Sequence, residues 1–131
     1  MTNKSAEGYR RTNTDISGDL VVTITTGDTT LVTVKNANTT LFIQRIIVYV
    51  NVDAAQSWSF EDSNGTPKKI AEVTISPGDE TRWDFDFGDK GIPLTEGMNF
   101  VLNVSAAGLG GNIVWEGYAR ISSPVAVGST N

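Results

Sequence analysis

The pattern of apolar and polar positions predicts a chain built from β-strands. Residues 41–52 form the longest apolar run, rich in β-branched and aromatic side chains and free of Gly and Pro, which favours a central strand covered on both sides. Because side chains alternate along a strand, we expect two faces, both largely apolar. One would carry Phe42, Gln44, Ile46, Val48, Val50 and Val52, and the other Leu41, Ile43, Arg45, Ile47 and Tyr49.

Alternating patterns predict seven further strands. They lie at residues 20–26, 30–35, 57–61, 69–75, 81–87, 98–106 and 112–122. Strand 81–87 has the clearest pattern. Trp83, Phe85 and Phe87 are expected on one face, and the charged residues Arg82, Asp84 and Asp86 on the other. Gly27-Asp28 predicts a hairpin between the first two strands, and the Gly-rich residues 108–111 predict another between the last two.

About eight short strands without helical periodicity predict an all-β fold, an antiparallel β-sandwich of jelly-roll type. We place the sandwich domain at residues 19–123, after a polar N-terminal arm at 1–18 and before a C-terminal tail at 124–131. The arm carries a cluster of positive charge at Lys4, Arg10 and Arg11, beside Tyr9. Two interpretations fit it, a frayed terminus or a segment that becomes ordered on a partner.

Composition argues against several classes of function. The 131 residues contain no Cys and no His, which removes disulfides, thiolate metal sites and the commonest general base and metal ligand. We therefore expect no enzymatic activity and no cofactor. A net charge of -5 opposes attraction to nucleic acid or anionic lipid. With no apolar leader or run long enough to span a membrane, we expect a soluble protein made in the cytoplasm.

Acidic residues offer two candidate sites, each with a simpler explanation. Asp84, Asp86 and Asp89 would converge on calcium if they met at short range, but the first two lie on a charged strand face and no calcium-loop signature is present. Glu72 and Glu116 would suit a glycosidase if they flanked a cleft, although water-facing strand positions explain both.

Aromatic residues suggest either a core or a binding surface. Trp58, Trp83 and Trp115 fall on the apolar faces of their strands, where core packing explains them and sugar stacking is the alternative. Tyr49 and Tyr118 fall on the opposite faces and are better placed to contact a partner.

Polar residues also interrupt the central apolar run. Arg45 is expected to reach a carboxylate or to emerge at an interface, since an unpaired buried charge is costly. The same reasoning applies to Gln44 on the other face, and together they suggest that a subunit contact covers one face.

The C-terminal strand pair resembles that of small β-sandwich proteins from tailed bacteriophage particles. The resemblance lies in the segment Gly97-Met-Asn-Phe-Val-Leu-Asn-Val-Ser-Ala-Ala-Gly-Leu-Gly-Gly-Asn-Ile-Val-Trp-Glu-Gly-Tyr-Ala-Arg, where a strand ends in Ser-Ala-Ala-Gly and the return strand closes with an aromatic, Gly and Tyr. Pro77-Gly-Asp-Glu-Thr and Gly91-Ile-Pro-Leu-Thr-Glu-Gly are similar in style.

This resemblance implies a head decoration, or cement, protein on the outer capsid surface of a virion, often a homotrimer at three-fold positions. Its partner would be the major capsid protein, which it would stabilise by bridging subunits. The residues expected at the partner interface are Lys4, Tyr9, Arg10, Arg11, Arg45, Tyr49 and Tyr118. A carbohydrate- or receptor-binding module of a phage tail or fibre is the alternative, and a hydrolase using two carboxylates is a third possibility.

Overall fold

The computed structural model describes residues 12–24, 27–51, 56–76, 80–105 and 108–122. These residues form nine strands. The strands are β1 (Thr12–Ile24), β2 (Gly27–Val32), β3 (Thr39–Asn51), β4 (Gln56–Asp62), β5 (Lys69–Ile75), β6 (Glu80–Asp86), β7 (Ile92–Pro93), β8 (Phe100–Val104) and β9 (Gly108–Ile121). Within these ranges no helix has the length and apolarity that crossing a membrane requires.

The strands form two antiparallel sheets packed face to face, which confirms the predicted β-sandwich. Sheet A has the order β1-β9-β3-β6, with β7 beside β3, and sheet B has the order β2-β8-β4-β5. Strands pair in a nested way, β1 with β9, β2 with β8, β3 with β6 and β4 with β5. This is the jelly-roll arrangement, in which one long hairpin is rolled into two sheets.

Nested pairing contradicts both predicted terminal hairpins. Strands β1 and β2 lie in different sheets, as do β8 and β9. Gly108 and Gly111 do not form a turn between paired strands, because they lie within β9 opposite Ile24 and Val22 of β1. Turn chemistry indicates where a chain reverses, but it does not indicate whether the next strand stays in the same sheet.

The boundary of the N-terminal arm also differs from the prediction. Strand β1 begins at Thr12, so residues 12–18 belong to sheet A, and Ile16 packs against the core. Asp15 and Ser17 alternate outward on this edge strand and are exposed, which explains why the segment resembles a polar arm in the sequence. Residues 1–11 and the predicted tail at 124–131 lie outside the described residues.

The core lies between the two sheets and combines aliphatic side chains with a cluster of aromatic rings. Trp58, Phe60 and Phe100 of sheet B are fully buried, and the Trp115 ring of sheet A meets Phe100 edge-on at 6.3 Å between ring centroids. Trp83 packs against this cluster from β6. All three tryptophans therefore contribute to the core, as core packing predicts.

A bulge at Gln44 divides the central strand β3 into two parts. Ile43 lies opposite Gly117 of β9 while Arg45 lies opposite Glu116, so Gln44 is an extra residue in the register. The buried side chains are Leu41 and Ile43 before the bulge and Ile46 and Val48 after it. The predicted division of this strand into two alternating faces is therefore correct on either side of Gln44 but wrong across it.

Gly117 allows β9 to pass close to β3 beside this bulge. A Cβ atom added there would lie 2.0 Å from the carbonyl oxygen of Phe42 and 3.1 Å from the Cα atom of Ile43. Both contacts are with backbone atoms of a strand held on two sides, so only Gly fits at this position.

The buried carboxylate of Asp62 ties the β4–β5 loop to the segment before β8. One oxygen accepts hydrogen bonds from the backbone N–H groups of Asn64 at 3.1 Å and Lys68 at 2.9 Å, and the other from the N–H of Thr95 at 2.9 Å. Burial raises the pKa of Asp62, but hydrogen bonds from the Thr95 side chain and these three amides outweigh it, so the net pKa is lowered.

Candidate functional site

The outer surfaces of the two sheets differ in chemistry. The outer surface of sheet A, here called the A face, combines apolar, aromatic and charged side chains at positions fixed by the strand register. They are Asp15, Ser17, Asp19, Phe42, Arg45, Ile47, Tyr49, Arg82, Asp84, Asp86, Asn112, Val114, Glu116, Tyr118 and Arg120.

The outer surface of sheet B, the B face, consists mainly of short polar and acidic side chains. The carboxylate of Glu72 accepts hydrogen bonds from the hydroxyls of Ser57 at 3.2 Å and Ser59 at 3.1 Å. Asn103 donates to Asp28 at 2.6 Å. Val101 is buried among them. These side chains largely satisfy one another, which is typical of a solvated face.

Three side chains form a compact stack at one end of the A face. The rings of Phe42 and Tyr118 stack at 4.7 Å between centroids with 8° between planes. The guanidinium carbon of Arg120 lies 4.7 Å from the centroid of Phe42 and 5.7 Å from that of Tyr118. The Tyr118 hydroxyl donates to the carbonyl of Lys90 at 2.8 Å. The stack presents a rigid surface made of aromatic rings and one cation.

Arg45 lies at the centre of the A face, between Asp86 on β6 and Glu116 on β9. It binds Asp84 through two parallel hydrogen bonds of 3.0 and 2.6 Å, and its side chain remains 41% exposed. These hydrogen bonds raise the pKa of Arg45 and lower that of Asp84. The arginine therefore reaches a carboxylate, the first of the two outcomes expected from its place in the sequence, and its place at an interface stays a prediction.

Tyr49 lies at the other end of the A face. Among the described residues it is the large apolar side chain that is exposed, with 41% of its surface accessible. The guanidinium of Arg82 lies 5.6 Å from its ring centroid. Beside it, Ile47 and Val114 face each other across β3 and β9 and are half-buried. This end is an apolar patch bordered by charged groups, a composition typical of protein interfaces.

A shallow depression of ≈ 240 Å³ opens beside Arg45. Its lining residues are Gln44, Arg45, Asp86, Gly88, Asp89 and Glu116. The bulge directs Gln44 towards the loop after β6, where its amide donates to the carbonyl of Asp89 at 2.6 Å. With three carboxylates and one arginine that is already paired, the depression favours a cationic ligand.

The arrangement of the acids gives no support to the calcium or glycosidase alternatives. Asp84 is bound to Arg45, and the described residues contain no group of three or more acids placed to hold a metal ion. Glu72 lies on the B face and Glu116 on the A face, so they cannot flank one glycosidic bond.

The structure brings three of the seven predicted interface residues, Arg45, Tyr49 and Tyr118, onto one face. The others, Lys4, Tyr9, Arg10 and Arg11, lie outside the described residues. Sequence reasoning missed Phe42, Ile47 and Arg120. Arg120 could have been found two positions after Tyr118 on the same strand face, but the bulge at Gln44 concealed that Phe42 shares a face with Ile47.

No protein-family model and no curated protein sequence matches this chain. A solved structure from Bacillus, described as "Bacillus endospore appendages form a novel family of disulfide-linked pili", is similar to it with a TM-score of 0.43 and 9% sequence identity, covering 86% of this chain and 90% of that chain. A likeness this distant carries no inference about function.

Proposed function

We propose that this chain is a non-enzymatic structural protein that binds another protein through its A face, in the role of a capsid decoration protein of a tailed bacteriophage. The observation that carries the proposal is the contrast between the two outer surfaces. The A face gathers aromatic residues, half-buried aliphatic residues and three arginines, the residue types enriched at protein interfaces. The B face carries short polar groups that satisfy one another.

The fold supports the same proposal. Jelly rolls are used by viral capsid proteins and by lectins, and the rigid stack of Phe42, Tyr118 and Arg120 would give a partner a preformed surface, which lowers the entropic cost of binding. The major capsid protein is the partner that the resemblance of the C-terminal strands implies. Binding there would clamp neighbouring capsid subunits together.

Binding to capsids tests the proposal directly. We expect the double variant Ile47→Ser/Tyr49→Ser to bind capsids at least about tenfold more weakly than the unaltered chain, since it removes the apolar patch and its exposed aromatic ring. The matched control Thr30→Ala/Thr74→Ala, on the exposed B face, should bind normally. Cosedimentation with capsids of the source phage that lack this chain measures both.

Antibody labelling of purified particles tests the location. Gold label on the heads would support a decoration protein, and label on the tails would support the alternative module. Particles that carry no label, or capsid binding that both double variants retain, would contradict the proposal.

A carbohydrate-binding module is the second candidate, favoured by the ring of Tyr49, which is exposed beside Arg82. Trp58 cannot stack on a sugar because it is fully buried. On a glycan array, retention of a sugar by the chain and its loss in Tyr49→Ala would support this function over capsid binding.

A further inference from the structure

We infer that the A face is the docking site for the N-terminal segment, residues 1–11, of a second copy of this chain. The inference rests on the proposed function, because it assumes that the A face is a protein-binding surface, and it names the occupant of that surface before the capsid protein binds. The segment carries Tyr9, Arg10 and Arg11 in succession, an aromatic ring followed by two cations. The A face offers an apolar patch followed by a depression lined with acids.

Charge complementarity favours this occupant. Residues 1–11 contain three basic residues and one acidic residue, a net charge of +2. Since the whole chain has a net charge of -5, the remaining residues carry a net charge of -7. On the A face, Arg45 already binds Asp84, which leaves Asp86, Asp89 and Glu116 as carboxylates around the depression. No hydrogen bond or ion pair joins the side chains of Asp89 and Glu116 to other described residues.

The apolar half of the segment matches the other half of the surface. Ile47 and Val114 form the pair next to Arg45 and Glu116 on the outer surface of β3 and β9, two residues away on each strand. All four residues line a second small cavity of ≈ 70 Å³. A tyrosine side chain covers such a patch at small entropic cost. Tyr9 placed there would leave Arg10 and Arg11 beside the acids of the depression.

The register of β1 shows why a second copy is required. The strand is paired as far as Thr12, which lies opposite Ile121, while Glu116 lies opposite Ser17, five residues further along β1, a distance of about 17 Å. Val114 lies opposite Asp19, seven residues from Thr12 along β1, a distance of about 24 Å. Tyr9 is three residues from Thr12 in the sequence, and three residues span at most about 11 Å. Tyr9 therefore cannot cover this patch of its own chain while Arg10 and Arg11 lie beside the acids.

Such docking is heterologous, because the donating and accepting surfaces differ. Contacts of this kind either close into a ring or continue as a filament. A closed ring of three copies would produce the trimer that the resemblance implies.

Light scattering on full-length chains tests the inference. We expect the unaltered chain to form a concentration-dependent oligomer that weakens as salt is raised. The arm variant Arg10→Glu/Arg11→Glu and the face variant Asp89→Lys/Glu116→Lys should each associate at least about tenfold more weakly, since each places like charges together. A variant with all four reversals should associate again, because its arm is then acidic and the depression on its A face is basic.

Mixing the two variants separates docking between chains from other causes. The intact arm of the face variant fits the intact face of the arm variant, and the two reversed surfaces also fit each other, so an equal mixture should form mixed oligomers although neither variant assembles alone. An unaltered chain that stays monomeric at millimolar concentration would overturn the inference. Association unaffected by either pair of reversals, or a mixture that forms no mixed oligomer, would also overturn it. Each of these results leaves capsid binding by the A face to be decided by cosedimentation, so the two proposals can fail separately.

Discussion

Replacing Gly117 with alanine is expected to leave no cooperatively folded protein, or to lower the free energy of unfolding by about 4 kcal/mol or more. The added Cβ would meet the Phe42 carbonyl oxygen at 2.0 Å, and this oxygen belongs to the backbone of the central strand. Relief would require β9 and β3 to separate beside the Gln44 bulge, breaking ladder hydrogen bonds on both strands. Urea unfolding followed by tryptophan fluorescence measures the effect.

Two other glycines provide a graded control. At Gly18 the added Cβ would meet the Trp115 ring at 2.4 Å, a side chain that can shift by repacking, so Gly18→Ala should cost about 1 to 3 kcal/mol. At Gly65 a Cβ meets nothing within 4 Å, and Gly65→Ala should change stability by less than about 0.5 kcal/mol. Equal effects at all three positions would contradict the close strand approach.

Replacing Asp62 with alanine is expected to lower the free energy of unfolding by about 3 kcal/mol, since it leaves three part-buried donors without their acceptor, at about 1 kcal/mol each. The three donors are the N–H groups of Asn64, Lys68 and Thr95. Loss of the carboxylate frees the β4–β5 loop from the segment before β8. Denaturant unfolding at neutral pH measures the loss.

The lowered pKa of Asp62 also predicts how stability depends on pH. Because the native pKa lies below the ordinary value of 3.8, the carboxylate stabilises the fold fully above that value, and this contribution is lost as the pH falls through the lowered native pKa. Asp62→Asn should remove this part of the acid sensitivity. Unfolding curves collected at successively lower pH should therefore converge for the unaltered chain and the Asn variant.

Asp86 is the matched control for Asp62. Its carboxylate also accepts the N–H group two residues ahead, that of Gly88 at 2.9 Å, but it does so on the exposed A face. Asp86→Ala should cost much less than Asp62→Ala, because water can replace the lost acceptor. A loss as large as that at Asp62 would show that burial is not the cause.

The sequence predicted the strands better than it predicted their partners. In β6 the alternation of Trp83 and Phe85 with charged residues is confirmed, because one face packs against the core and the other is exposed to solvent. In β3 both faces are apolar, so the pattern contains no contrast that would reveal an extra residue at Gln44. The hairpin predicted at Gly108 was wrong, since local turn chemistry contains no information about a partner strand that lies far away in the chain.

The candidate site was predictable only in part. Arg45, Tyr49 and Tyr118 were identified because polar or amphipathic residues stood at positions where the pattern required an apolar core or a free face. The stack on Phe42 and Arg120 was not predictable, since it needs β3 and β9 to be neighbours in a known register. The depression beside Arg45 depends on the bulge at Gln44, which the apolar pattern of β3 does not reveal, so it was not predictable either.

The nested pairing also determines when this chain can fold. Thr12 at the start of β1 pairs with Ile121 at the end of β9, so β1 must wait for β9 to be synthesised before the two can pair. Sheets dominated by such distant contacts have high contact order and fold slowly. Until β9 has been synthesised, β3 lacks this neighbour and one of its edges is unpaired. The nascent chain is therefore most prone to aggregate before β9 leaves the ribosome, and chaperone binding should matter most at that stage.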